Sequence, residues 1–372
     1  MNEKRMPGAR KAIVIHSPHS GRASQLGEAL THLQDLGIEV AQNISIAELD
    51  NLPAQGDHWK ELGLDFAIAA GGDGLIGGVI THIAESGLPL GILPLGTSND
   101  IARSLRIPLD LFQAAKVIAQ GNLGNVDVGV AWPAEQAPHK ASKRGISHAN
   151  IPPKKHGYFA HALTVGLNVQ FARIATNLAT RSRYGRLTYP VAAIEVLKDH
   201  EVLDVHLEFQ GLSFPRAQKT DHPIVISGFA GEEYALDCRA IQIAIINAPI
   251  FGGQLGLSVP NASISDRLLD IVVIEELELG RLGQILGRFF GTQNSEGRPL
   301  PEENGTIHHP SELTGLPGIH HIQAKGVIIN TTNDPRDVTL DGEVRGQTPI
   351  YVHLADAPLK VVVPFQMTDN RA

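Results

Sequence analysis

Cysteine occurs once in this chain of 372 residues, at Cys238. A single cysteine excludes an intramolecular disulfide and any cysteine-built zinc site, and on its own it reads as a small buried hydrophobe. No uninterrupted apolar run is long enough to span a bilayer. The amino-terminal MNEKRMPGARK is charged and leads straight into an apolar strand, so no signal peptide is expected. Positive charge is also in deficit: the formal net charge is −8, which argues against a partner made of nucleic acid. Two adjacent histidine pairs, His308-His309 and His320-His321, lack H-x₃-H spacing or a supporting carboxylate pattern. Neighbours on a strand also point opposite ways, so no metal site is expected there. The expectation is a soluble cytoplasmic protein with two or three domains' worth of chain.

What the chain has is a run of strand-to-helix turns rich in small residues. Residues 66–70 are apolar and stop at Gly71-Gly72-Asp73-Gly74. A helical stripe then resumes with Leu75, Ile76, Val79, Ile80 and Ile83. Residues 90–93 form a second buried strand, whose turn, Gly96-Thr97-Ser98-Asn99-Asp100, opens another helix. Free N–H groups at a helix start favour an anion, and glycines let a phosphate approach the backbone. A carboxylate inside such a turn repels phosphate unless a metal bridges them or it accepts hydrogen bonds. Together the two turns point to a nucleoside triphosphate with Mg²⁺. Neither is a Walker loop, since no GK[ST] follows, and neither is GxGxxG.

Around these turns, residues 11–16 read as a first strand, followed by Ser17-Pro18-His19-Ser20-Gly21. Residues 23–36 read as a helix closed by Gly37, 38–41 as a second strand and 109–120 as a further helix ended by Gly121. The polar segment 42–63 has no clear pattern. This alternation predicts an α/β fold with a doubly wound, Rossmann-like, mostly parallel sheet, whose ligands bind at the carboxyl ends of the strands. After Gly124 the character changes. Residues 125–132 and 158–169 read as strands, and 134–156 as a polar loop with five cations against Glu135. Residues 171–197 and 279–290 read as helical, and 291–318 as a long polar loop. Further strands are expected at 201–209, 223–229, 241–247, 268–274, 327–330, 338–340, 351–354 and 359–363, with Asp341-Gly342 as a strong turn signal. This half is predicted to be a β-sandwich.

Gly71-Gly72-Asp73-Gly74 with Gly96-Thr97-Ser98-Asn99-Asp100-Ile101-Ala102-Arg103 resembles the diacylglycerol kinase-like lipid kinase family, whose pattern is GGDGT followed by LGTxNDFAR. The likeness continues through Ser17-Pro18-His19-Ser20-Gly21, the Gly252-Gly253-Gln254-Leu255 loop, Asp266-Arg267-Leu268-Leu269-Asp270 and Asp341-Gly342-Glu343. It implies an ATP- and Mg²⁺-dependent lipid kinase in phospholipid biosynthesis, with diacylglycerol giving phosphatidate as the first expectation. It further implies an ATP-binding domain over 1–124, rejoined by 356–372, and a lipid-substrate domain of β-sandwich type over 125–355. Nucleotide contacts fall on Ser17, Ser20, Gly21, Gly71, Gly72, Asp73, Gly74, Thr97, Asn99 and Asp100. Asp341 and Glu343 carry the catalysis jointly, the glutamate as proton acceptor and the aspartate orienting the hydroxyl or the metal. A structural Mg²⁺ is implied at Ser263, Asp266 and Leu268, with Asp73 and Asp100 serving the catalytic ion.

The partner implied is a lipid met at the membrane surface in a transient, peripheral visit, with the basic loop as a touch-point. A homodimer is one assembly left open. The chain departs from the pattern in three places. Leu75 stands for the threonine of GGDGT, Gly77-Gly78 for an Asn-Glu pair, and Arg267 for a glycine. If that glycine needs positive φ, Arg267 is strained, and its guanidinium is able to take the place of the cation. Two other readings follow: a catalytically weak nucleotide- or lipid-binding regulatory protein, and an NAD-kinase-like enzyme, which GTSND disfavours.

Overall fold

Apolar runs covered on both faces become parallel strands, and runs that alternate become antiparallel ones. Both kinds are present in the computed structural model, which describes residues 10–50, 59, 62–136, 157–167, 201–213, 227–229, 233–251, 257–259, 262–276, 319–332 and 334–365. The readings at 171–197, 279–290 and 291–318, the cations of the loop at 134–156 and the loop at 252–255 lie outside these residues.

The first sheet contains β1 (Arg10–His16), β2 (Ile38–Ser45), β3 (Phe66–Gly71), β4 (Leu90–Pro94) and β5 (Leu123–Val126). It is completed by the late strand β19 (Leu359–Val362), in the order β2-β1-β3-β4-β19-β5. Strands β3 and β4 are buried along their whole length. All pairings in this sheet are parallel except β19 with β5. Among the described residues five helices accompany it: α1 (Leu26–Asp35), α2 (Ile46–Asp50), α3 (Asp73–Ile83), α4 (Asp100–Ser104) and α5 (Leu111–Gln120). Helix α5 starts where Asp110 accepts the Gln113 N–H at 2.9 Å, and it ends at Gly121 with φ of +69°. The stretch without a clear pattern prolongs β2 to Ser45 and adds α2, which the Glu48 carboxylate ties down by accepting the Ser45 N–H at 2.7 Å.

The single strand expected at 125–132 is two strands in two sheets. Strand β5 ends at Val126, and β6 (Gly129–Pro133) begins the second sheet. The break is at Asp127, whose N–H donates to the Ile264 carbonyl at 2.8 Å, so it cannot serve a ladder. The strand expected at 158–169 is likewise split, into β7 (Gly157–Phe159) and β8 (Ala162–Gly166).

The remaining strands are β9 (Leu203–Ser213), β10 (Ser227–Phe229), β11 (Glu233–Ile246), β12 (Ile250–Phe251), β13 (Leu257–Ser258), β14 (Leu269–Glu275), β15 (Ile319–Thr331), β16 (Asp337–Leu340), β17 (Glu343–Gln347) and β18 (Ile350–Leu354). Strands β11 and β15 are long, and each serves two layers. One part of each pairs with β9 and another part with β14. A register shift between Ala240 and Gln242 marks the change on β11. The sheet therefore folds over itself. Leu203, Val205, Leu207 and Phe209 of β9 share one apolar core with Leu269, Ile271 and Val273 of β14. The outcome is the expected sandwich, built from one sheet bent double. Among the described residues no helix is long and apolar enough to cross a membrane.

Candidate active site

The carboxyl ends of β1, β3 and β4 lie side by side, so the turns that follow them converge. The turn at 17–21 is fastened by Arg22, whose N–H donates to the Leu95 carbonyl at 2.9 Å and whose guanidinium donates to the carbonyls of Pro94 and Leu109. Leu95 in turn donates to the Gly71 carbonyl at 3.0 Å. The turns after β3 and β4 touch through bare backbone: a Cβ added at Gly96 would lie 2.4 Å from the Gly72 Cα. Glycine is needed at this contact because the two chains approach more closely than any side chain allows.

Asp73 opens α3 but does not point out of it. Its two carboxylate oxygens accept the N–H groups of Asp100 at 3.1 Å and Ile101 at 2.8 Å, so it caps α4 from a neighbouring turn. Asn99 is buried in the left-handed region at φ of +53°. Its side-chain amide closes its own turn, accepting from the Gly96 N–H and donating to the Gly96 carbonyl, each at 2.9 Å. Asp100 is buried as well, with Oδ2 4.0 Å from His161 Nε2.

The second sheet delivers its contribution on the β16–β17 hairpin. Asp341 (φ +48°) and Gly342 (φ +87°) form a two-residue loop with both φ values positive, and Leu340 and Glu343 are paired across it. The Asp341 carboxylate accepts three N–H groups, from Ala160 at 3.0 Å, His161 at 2.9 Å and Ala162 at 3.0 Å. Burial raises its carboxyl above the usual carboxylate range, against the opposing pull of His161 and those three donors. A Cβ on Gly77 would lie 2.3 Å from Asp341 Oδ2, so the hairpin is seated directly on α3. The glycine at position 77 thus has a physical reason, because the aspartate fills the space a side chain would take; Gly78 has no such neighbour.

Glu343 Oε1 comes within 3.7 Å of the position a Cβ would take on Gly74. This closes a cleft of about 390 Å³. Of the residues named from the sequence, Ser17, Ser20, Gly21, Gly72, Gly74, Thr97 and Glu343 line it. Gly71, Asp73, Asn99, Asp100 and Asp341 are not in its wall; they shape and fasten the turns. Leu75 is a wall residue folded back over Gly71, where a Cβ would lie 2.3 Å from Leu75 Cδ2. Sequence reasoning missed Ile46, Thr81, His82 and Arg345, which also line the cleft. Arg345 stood two residues from the glutamate already named, and it sits where β17 shifts register against β16. Its Nε and Nη2 donate to Glu343 Oε2 at 3.1 and 2.6 Å.

Ser263, Asp266 and Leu268 fall together near the crossing between the sheets. Asp266 Oδ1 accepts the Leu268 N–H at 3.1 Å, and Ser263 Oγ accepts the Ser265 N–H at 3.3 Å. Burial, joined by the nearby charges of Asp270 and Asp127, raises the Asp266 carboxyl. Arg267 sits at φ of +64°. Its backbone N–H and guanidinium both bind the buried Asp127 carboxylate, at 2.7 and 3.1 Å, and the guanidinium reaches the carbonyls of Ala355 and Asp356. Among the described residues no three His, Cys, Asp or Glu side chains gather as a metal cage. His321 and His320 do find acids, both on β14: His321 Nε2 is 2.7 Å from Asp270 and His320 Nε2 is 3.0 Å from Glu275. Cys238 is half-buried, its thiol pushed up to about 12 by burial and the charges of Glu275 and Asp237, which leaves it unreactive.

A family profile described as Diacylglycerol kinase catalytic domain matches residues 11–131. One described as YegS C-terminal NAD kinase beta sandwich-like domain matches residues 162–294. The chain is similar to the diacylglycerol kinase of Staphylococcus saprophyticus, with 24% identity over 345 residues and 91% of each chain covered. It is 25% identical over 370 residues to the diacylglycerol kinase of Staphylococcus aureus strain bovine RF122, covering 97% of this chain and 95% of the relative. A diacylglycerol kinase structure from Bacillus anthracis strain Sterne matches with a TM-score of 0.56 at 19% identity, covering 96% of this chain and 98% of that one. At that identity the structural likeness is one of fold.

Proposed function

We propose, on the premise that this chain belongs to the diacylglycerol kinase-like lipid kinases, that its phosphoryl donor is ATP with Mg²⁺ and its first acceptor is diacylglycerol. The observation that carries this reading is the single cleft that brings the turns after β1, β3 and β4 against Glu343. The turns supply backbone N–H groups and small residues for the phosphates. Glu343 is the exposed carboxylate at the mouth, with half of its side-chain surface open, and takes the acceptor's proton. Asp341 positions the hairpin, since its oxygens are occupied by three N–H donors.

Mg²⁺ keeps most of its water and would arrive on the triphosphate. Asp73 and Asp100 lie behind the cleft wall, where their charge would favour the ion from a distance; the ion would supply charge neutralisation as the phosphoryl group moves. The loop of Ser263, Asp266 and Leu268 is the second place we assign to Mg²⁺. A cation there would offset the burial, and the lesser charges of Asp270 and Asp127, that raise Asp266. EDTA is then expected to lower the melting temperature of the wild type, with recovery on adding Mg²⁺; an unchanged melt removes that assignment.

The activity test is transfer of labelled γ-phosphate from ATP into a panel of vesicle lipids by wild type, Glu343→Gln and Asp341→Asn. Label in phosphatidate that Glu343→Gln reduces about 10²-fold is the expected result. A wild type that binds ATP and labels no lipid is a regulatory protein, and label in NAD overturns the acceptor class.

A further inference from the structure

The cleft has a shortage of permanent positive charge. A nucleoside triphosphate brings several negative charges, yet the phosphate turns carry no lysine. Among the described residues that line the cleft, Arg345 is the one arginine or lysine. It stands on β17, the edge strand of its sheet, at the position where the pairing with β16 shifts register, and its side chain reaches Glu343. Three-quarters of its side-chain surface is covered, although arginine is mostly exposed in proteins, and it is more covered than its partner glutamate. Both of its hydrogen bonds go to one oxygen, Glu343 Oε2, and Nη1 makes none among the described residues. Glu343 Oε1 meanwhile faces Gly74 at the start of α3. The guanidinium is therefore held in the cleft wall beside the general base, with Nη1 unspent and 3.8 Å from the position a Cβ would take on Gly157.

We propose that Arg345 is a catalytic residue that binds the phosphoryl group being transferred while holding Glu343 in place. The inference rests on ATP being the donor, as proposed above. In the step it serves, the acceptor hydroxyl oxygen forms a bond to the γ-phosphorus as the bond to the bridging oxygen breaks. That electron pair leaves on ADP, and the hydroxyl proton passes to Glu343. Arg345 changes no bond; its unspent amino group donates to the phosphoryl oxygens, and its charge offsets the charge spread over them. A surface ion pair alone contributes little to stability, so the pair's worth lies in this placement.

The test compares ATP with ADP, which differ by the group Arg345 is assigned to hold. Binding of each nucleotide is measured without Mg²⁺ on wild type, Arg345→Gln and Arg345→Lys, beside kcat on diacylglycerol vesicles. Arg345→Gln is expected to bind ATP about tenfold more weakly with ADP binding unchanged. Its kcat is expected to fall about 10²-fold, with part of both losses recovered in Arg345→Lys. Equal losses for ATP and ADP mark a structural role and overturn the proposal, as does wild-type behaviour of Arg345→Gln. Should Arg345→Gln not fold, the same comparison on Arg345→Lys decides, by a selective or a non-selective loss. A wild type that binds neither nucleotide, with Mg²⁺ or without it, overturns the donor assignment, and this proposal with it. A wild type that binds ATP while its variants do not discriminate overturns this proposal alone.

Discussion

At the residue scale the site depends on two contacts that leave no room. Gly77 has Asp341 where its side chain would be, whereas a Cβ on Gly78 meets only the tip of Ile46, at 3.3 Å. Gly77→Ala is therefore expected to lift the hairpin from α3, costing about 1–3 kcal/mol of stability and most of the activity. Gly78→Ala is expected to stay near wild type, and a urea melt beside an activity assay separates the two. Asp341 also makes a pH prediction. Its folded carboxyl is raised, so the unfolded chain releases that proton first as pH rises. The stability of wild type relative to Asp341→Asn should be greatest below the ordinary carboxylate range and shrink as pH climbs through the raised one. Melting both proteins across acid to neutral pH checks the sign, and a difference that grows with pH would refute it.

The elements show what a linear reading reaches. Helices α1, α3 and α5 were legible from their apolar stripes, with Gly37 and Gly121 marking the ends of α1 and α5. The three phosphate turns were legible as motifs, but their division of labour was not. Asp73 reads as a ligand in sequence and is a cap for a helix 27 residues on, a role set by which turns the sheet brings together. The His320-His321 pair gave no signal because its acids arrive from β14, some fifty residues away. The joint between elements is similarly hidden. Asn247 follows β11, and its Nδ2 donates to the carbonyls of Asp127 at 2.6 Å and Ala160 at 2.9 Å. Asn247→Ala strands two buried acceptors and is expected to cost about 2 kcal/mol, read as a lower denaturation midpoint at unchanged slope.

At the scale of the whole molecule, the chain crosses between the sheets twice, after β5 and after β18. Arg267 clasps both crossings, through Asp127 on one and the carbonyls of Ala355 and Asp356 on the other. Removing it in Arg267→Ala leaves Asp127 buried without its guanidinium. The expected cost is about 2–3 kcal/mol, discounted because the guanidinium is partly exposed, with added protease cleavage near the crossings as the readout. Sequence alone placed the last strand in the first sheet only by resemblance, since nothing local to residues 359–362 distinguishes it from its neighbours. That strand also has a consequence for synthesis. Strand β19 lies between β4 and β5, so the nucleotide-side sheet stays incomplete until more than two hundred further residues have left the ribosome. Through that interval β4 is an exposed edge and β5 has no strand to join. Domain-by-domain folding during translation is thus closed to this protein: its first half waits for its last strand, and a ribosome that stalls within the sandwich releases a chain with neither half finished.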